Sequence, residues 1–384
     1  MKSTHLPPAS SWVRLSTIAS ALALGIILAA CGGGDDAADP DTDVAVAPAP
    51  PAANGAALGV FAGQPGTPGA AIGPAGGASL NKPMGIAADA SGNLYVADVR
   101  NFTVSRITGS TIATVAGSAG LSGLVDGPAS SARFLGPQEL AAGADGTLYL
   151  TDSANGTSSV MVRSISPAGQ VSTITDPTTG QPLLTDGSTG IAVDQQGRVY
   201  VFLWDPNKEA HVLAQITPAG AVNEIALVSS TGAPVDLFYP QYLAVDRANR
   251  LYISDDDADG NAGVLYQVAV NGGSGIATAL AGSTSTSGAS DGNGSAASFD
   301  GLANLAFDAS GNIYANDYYN NTIRKITQAG EVSTVAGSPA SNGLNLGSQP
   351  APLPYIDALA VLGSTLYFSD PEDSVVLQLF PIHD

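Results

Sequence analysis

The sequence predicts an all-β body assembled from six copies of one four-stranded antiparallel unit. A short apolar run ending in tyrosine recurs at Tyr95, Tyr149, Tyr200, Tyr252, Tyr314 and Tyr367, roughly every 50–60 residues, which marks a copied structural unit. Glycine and proline number 46 and 25 of 384 residues while charged residues make up only 12%, a composition of short strands and turns with little helix. Each copy also holds two apolar runs around a turn rich in Gly, Asn, Asp and Ser, the pattern of a hairpin of two buried strands.

The chain begins outside that body. Residues 1–30 join a weakly basic start to the apolar run Ile18 to Ala30, about 13 residues and too short to cross a bilayer as a helix. The run ends in Leu28-Ala29-Ala30-Cys31, which resembles the lipobox of bacterial lipoprotein signals. That resemblance implies cleavage before Cys31, a diacylglyceryl group on its sulfur and an acylated amino group, so the partner at this end is a membrane held by several acyl chains. Gly32 follows where an aspartate would signal retention, which in the Gram-negative sorting rule points to the outer membrane, in the periplasm or facing outward. Cys31 is the only cysteine, so no intramolecular disulfide forms and packing must supply the stability. Residues 31–57 carry five aspartates and no aromatic side chain; they cannot bury enough apolar surface to order themselves and read as a flexible tether.

From residue 58 to 384 the copies follow one another: 86–98, 140–152, 191–203, 243–255, 305–317 and 359–370. The two strands of each hairpin (a and b) are followed by a loop and a third, alternating strand (c), as in Thr322-Ile323-Arg324-Lys325-Ile326. A turn then leads to a fourth strand (d), as in Val332 to Gly337. Polar residues enter at c and d, so burial is expected to fall from a, lining an axis, to d, meeting water, as in the blades of a propeller. The fifth copy, LAFDASGNIYANDYYNNTIRKITQAGEVSTVAG, resembles the consensus of NHL-repeat β-propellers, and the connectors at 126–137 and 291–301 resemble the bacterial form of that family. The resemblance implies a six-bladed β-propeller of four-stranded blades. Leu203 departs from it where the other copies carry Asp98, Asp152, Asp255, Asp317 and Asp370. The sixth copy ends without a fourth strand, and Leu58 to Gly63 looks like the missing one, so this segment is expected to close the ring and hide its open edge. A monomer is expected.

Net charge is −20, and Lys and Arg are few and scattered, which excludes nucleic acid as a partner because phosphate affinity needs clustered cations. The aspartates closing each strand b are read as turn formers that accept backbone N–H groups. Asp255, Asp257 and Asp259 share the Asp-x-Asp-x-Asp-Gly spacing of calcium loops, but Tyr266 stands where such a loop supplies a bidentate glutamate. Where the inner strands begin, the NHL family favours glycine, as at Gly85 and Gly190. Glu139, Tyr242, Asn304 and Ala358 depart from this, with Gln138, Gln241 and Asp357 one residue earlier. Glu139, Gln241, Tyr242, Asn304 and Asp357 are therefore candidates for a ligand or metal site at one mouth of the axial channel, an arrangement similar to calcium-dependent lactonase propellers. The alternative is a set of polar groups binding ordered water. The three histidines, His5, His211 and His383, are too dispersed for a zinc centre. Trp204, beside Phe202 and Asp205, is a candidate exposed contact. Two functions stay open: a lipid-anchored envelope module that binds a protein or small molecule on its connector face, and a calcium-dependent hydrolase or lyase at the channel mouth.

Overall fold

A computed structural model describes residues 55–154, 159–185, 190–205, 207–257, 262–339, 343–349 and 351–382. The signal segment 1–30, Cys31 and the tether as far as residue 54 lie outside the described residues, as do Asn155, Asp259 and His383. The body is all-β and propeller-like, and its only helical turns among the described residues are the 3-10 turns Val99–Asn101 and Gly294–Ala296.

In the fifth repeat, strands a to d are Leu302–Phe307, Ile313–Asp317, Thr322–Ile326 and Glu331–Gly337, each paired antiparallel with the next. The first, second and sixth repeats follow the same order. Burial peaks at strand b and not at the axis as the sequence suggested: Ile313–Asp317 and Leu251–Asp256 are buried at every position, whereas Leu302–Phe307 alternates. Strand b is paired on both sides within its sheet, whereas strand a is the inner edge of the sheet and turns that edge toward the channel.

Ala57–Gly63 pairs antiparallel with Val375–Phe380 and supplies the sixth repeat's fourth strand, with Leu58 3% and Ala62 0% exposed. The recurrent glycine that ends the d strands is a close-approach residue. At Gly117 and Gly337 φ is +91° and +93°, and a Cβ would stand 2.3 and 2.2 Å from the carbonyl oxygens of Phe102 and Asn321.

Among the described residues the sheets number five, which corrects the expectation of six separate ones. Strand d of the third repeat, Val222–Val228, pairs in parallel with strand d of the fourth, Ser274–Gly282, joining both repeats into one eight-stranded sheet. The cause is at the outer edges. In the first, second, fifth and sixth repeats the connector entering the repeat lays a two-residue strand on strand d: Gly73–Pro74, Gly127–Pro128, Gly292–Asn293 and Gly347–Ser348. Among the described residues neither the third nor the fourth repeat has such a strand over its d edge, and an uncovered edge seeks a partner, so these two cover each other.

Candidate functional site

Aspartates hold the loops that frame the channel. Where strand b ends, Asp98, Asp152, Asp255 and Asp317 each accept a backbone N–H from the residue 17 positions earlier: Asn81 (2.8 Å), Leu135 (3.0 Å), Phe238 (3.2 Å) and Asp300 (2.8 Å). Each carboxylate thus ties the connector leading into its own repeat, a longer reach than a local turn. In the second and fifth repeats a buried arginine doubles the tie. Arg324, 0% exposed, donates to Asp317 (2.6 Å), Asp291 (2.9 Å) and the carbonyls of Ser298 and Ser290, and lies over the Phe299 ring. Arg163 repeats this arrangement with Asp152, Asp126, Arg133 O, Val125 O and Phe134. The connectors that look like free loops in sequence are therefore pinned to their sheets. Both guanidiniums escaped the sequence reading. Their signal was present: both repeats with arginine at this position of strand c are entered by an Asp-Gly connector, at 126–127 and 291–292.

At the other end of the inner strands, Asp89, Asp194, Asp246 and Asp308 fold the a–b turns by accepting N–H groups two and four residues on. They also accept the hydroxyls of Tyr95 (3.0 Å), Tyr200 (3.1 Å), Tyr252 (3.4 Å) and Tyr314 (3.5 Å), which gives the repeat tyrosine a role in the four copies that carry this aspartate.

The channel between these ends encloses about 470 Å³ and is lined by the inner strands of all six repeats. Glu139, Tyr242 and Asn304 line it where the strands begin. β-Bulges put them there: the register with strand b slips between Pro137 and Leu140, between Pro240 and Tyr242, and between Ala303 and Leu305. Such a slip turns a side chain that would enter the sheet toward the axis. Asn304 itself has φ +44°. The glycines of the neighbouring repeats make room, since a Cβ on Gly85 would stand 2.2 Å from Gln138 O and one on Gly190 2.8 Å from Leu243 N.

Four of the five candidates meet. The Tyr242 hydroxyl donates to Glu139 Oε1 at 2.9 Å and lies 3.4 Å from the Asp357 carbonyl, which also accepts from the Asn304 amide. Glu139 and Asn304 are 5% exposed and Asp357 9%. Asp357 Oδ2 is buried with no hydrogen-bond partner. Burial pushes the Glu139 carboxyl well above its ordinary range, the Asp357 charge adds to this, and the Tyr242 hydroxyl opposes it. Burial likewise raises Asp357 to about 7, against the pull of Lys82. Tyr242 is raised by burial and then by the charges of Glu139 and Asp357. Two carboxyls, a phenol and an amide thus form a desolvated polar plug at one end of the channel. Gln241 stands apart, for it is held through its carbonyl, which accepts Gly190 N–H at 3.1 Å.

Of the calcium-loop residues, Asp255 and Asp257 fall among those described. Both Asp255 oxygens accept backbone N–H groups, from Phe238 and Tyr239, and Asp257 closes its loop through N–H to Ala262 O. Among the described residues no three His, Cys, Asp or Glu side chains converge as a metal site. Trp204 is 47% exposed and stacks edge-on against His211, while Phe202 is buried. It shares the strand-b end of the body with Leu121, Phe238 and Tyr319, which are 54%, 57% and 51% exposed. Beside Tyr319, Tyr318 packs edge-on against both Tyr319 and Tyr355.

The chain matches no protein-family model and no curated protein. Among solved structures it is similar to an auxiliary nutrient binding protein from Bacteroides thetaiotaomicron (14% identity, 85% of this chain and 77% of that one, TM-score 0.63). A second, from Bacteroides ovatus, is 16% identical over 85% of this chain and 77% of that one, with TM-score 0.59. A gluconolactonase from Xanthomonas campestris is 14% identical over 88% of this chain and 99% of that one, with TM-score 0.52. At such identities the likeness establishes the propeller-like fold that the strand pairings describe.

Proposed function

We propose that the protein is a lipid-anchored binding module of the bacterial cell envelope. In this reading Cys31 carries the lipid in the outer membrane, residues 31–57 are a tether, and 58–384 form an NHL-type propeller of six blades, the eight-stranded sheet counting as two. The partner, a protein or a small molecule, docks on the connector face. One observation carries this: the exposed large apolar side chains Leu121 and Phe238 on connectors, Tyr319 on a b–c loop and Trp204 near the end of a strand b lie at one end of the repeats, and apolar exposure on a rigid scaffold marks interaction surfaces. Two proteins sharing the fold are described as auxiliary nutrient binding proteins, and nutrient capture at the envelope is in keeping with that role. The test is crosslinking in cells with a photoreactive residue at Trp204 or Phe238, compared with one at Ile276 on an outer strand. Adducts from the first two positions and none from the third are expected; equal labelling refutes the face assignment. Metabolic labelling with a fatty-acid probe, lost in Cys31→Ser, tests the anchor separately.

A hydrolase or lyase is the second reading, favoured by the raised carboxyls of Glu139 and Asp357 beside Tyr242. Calcium fits this plug poorly. Calcium takes six to eight oxygens, more than the carboxyls of Glu139 and Asp357 supply by themselves, and among the described residues no third acidic or histidine side chain joins them. Lactone and ester hydrolysis assayed with and without calcium separates the readings: activity lost in Glu139→Ala displaces the binding role, and no turnover retains it.

A further inference from the structure

We infer that the axial channel is itself a binding site for a small organic cation, an alkylammonium whose charged head sits against Glu139, in front of Asp357, and whose body lies along the channel. The site is independent of the connector face. Its cavity of about 470 Å³ lies in the range of small-molecule pockets. Its walls are the free edges of the inner strands, which present consecutive residues such as 86–90, 139–144 and 242–247 to the axis.

Charge decides the ligand class. Glu139 lines the channel while 5% exposed, and its carboxyl takes one hydrogen bond, from Tyr242. Asp357 lies behind it with Oδ2 buried and unpartnered. Lys82 acts on Asp357 through space without forming an ion pair within 4 Å. Two carboxyls in one desolvated place cannot both ionise unless a positive charge joins them, and a proton currently fills that role. An ammonium has three N–H donors and no acceptor, so it suits two or three carboxylate and carbonyl oxygens where a hard metal ion would be short of ligands. An anionic ligand is repelled, and a neutral alcohol leaves the carboxyls uncompensated.

Replacing the proton by the ammonium makes binding release protons. The groups facing the pair are Tyr242 and Tyr355, both raised by burial, and the Lys82 charge acts on Asp357 from beyond 4 Å. Affinity therefore rises about tenfold between pH 6 and pH 8.

The experiment uses purified full-length protein in detergent and a series of n-alkylammonium ions from butyl to octyl, followed by saturation-transfer NMR and by calorimetry in two buffers of different ionisation enthalpy. Binding is expected for at least one chain length, with proton release and no competition from the 1-alkanol of equal length. Glu139→Gln should weaken it by about tenfold or more without moving the melting temperature greatly. The inference is overturned if no member of the series binds at millimolar concentration, if the alkanol competes equally, or if calcium chloride displaces the amine stoichiometrically. Should Glu139→Gln not fold, the parent protein suffices: an affinity unchanged between pH 6 and pH 8 refutes the carboxyl pair as the seat.

Discussion

Replacing Arg324 with methionine removes a guanidinium that no solvent reaches and leaves Asp317, also 0% exposed, without its counter-charge. The arginine makes ion pairs to Asp317 and Asp291 and two hydrogen bonds to carbonyls, fastening the connector 291–301 to strand c of the fifth repeat. Burial already outweighs the arginine at Asp317, whose carboxyl stands at about 6, so taking the cation away leaves an acid that must stay protonated or ionise in a dry site. Removing one partner of such a pair costs about 3–5 kcal/mol, and methionine, which fills the volume over Phe299, confines the loss to electrostatics and hydrogen bonding. Urea unfolding followed by tryptophan fluorescence and far-ultraviolet circular dichroism measures it. The double variant Arg324→Met/Asp317→Asn should recover about 1–3 kcal/mol, because the stranded charge is gone. A single variant within about 0.5 kcal/mol of the parent, the range of an ordinary surface change, would falsify the pinning role of the arginine.

Further outcomes follow from the same geometry. Leu58→Asp, which puts a charge into the closing strand at a site 3% exposed, is expected to destabilise the entire body and raise its aggregation, read by melting and light scattering; a parent-like melt would show that the strand is dispensable. Gly337→Ala forces a Cβ to within 2.2 Å of Asn321 O at positive φ, and a loss of at least about 1–3 kcal/mol is expected by chemical denaturation. Asp98, Asp357 and Asp370 are raised by burial to about 7 and Asp256 to about 8, so between about pH 4, the unfolded value, and those values the folded chain holds protons that the unfolded chain has lost. Their stabilising contribution is complete below pH 4 and declines as pH rises through 7–8. The melting temperature should accordingly be higher at pH 5 than at pH 8, and the reverse slope would contradict the burial of these acids.

The repeat, its strand content and the borrowed closing strand are legible in the sequence because each is a local or periodic property. Apolar runs ending in tyrosine, turns built on Asp and Gly, and the likeness of Leu58–Gly63 to the other d-strand ends need no knowledge of distant neighbours. The mouth residues are legible too, as departures from the glycines at Gly85 and Gly190. Their meeting is a different matter. Glu139, Tyr242, Asn304 and Asp357 come from four repeats and are more than 50 residues apart, and bulges of the inner strands turn three of them onto one axis. Only tertiary structure decides that Arg163 and Arg324, unremarkable in an alternating strand, lie buried beneath their connectors. The joining of the third and fourth repeats into one sheet is likewise beyond sequence reading, since it depends on which outer edges the connectors leave bare. Periodicity travels with the chain; desolvation, charge pairing and edge contacts belong to residues that the fold alone brings together.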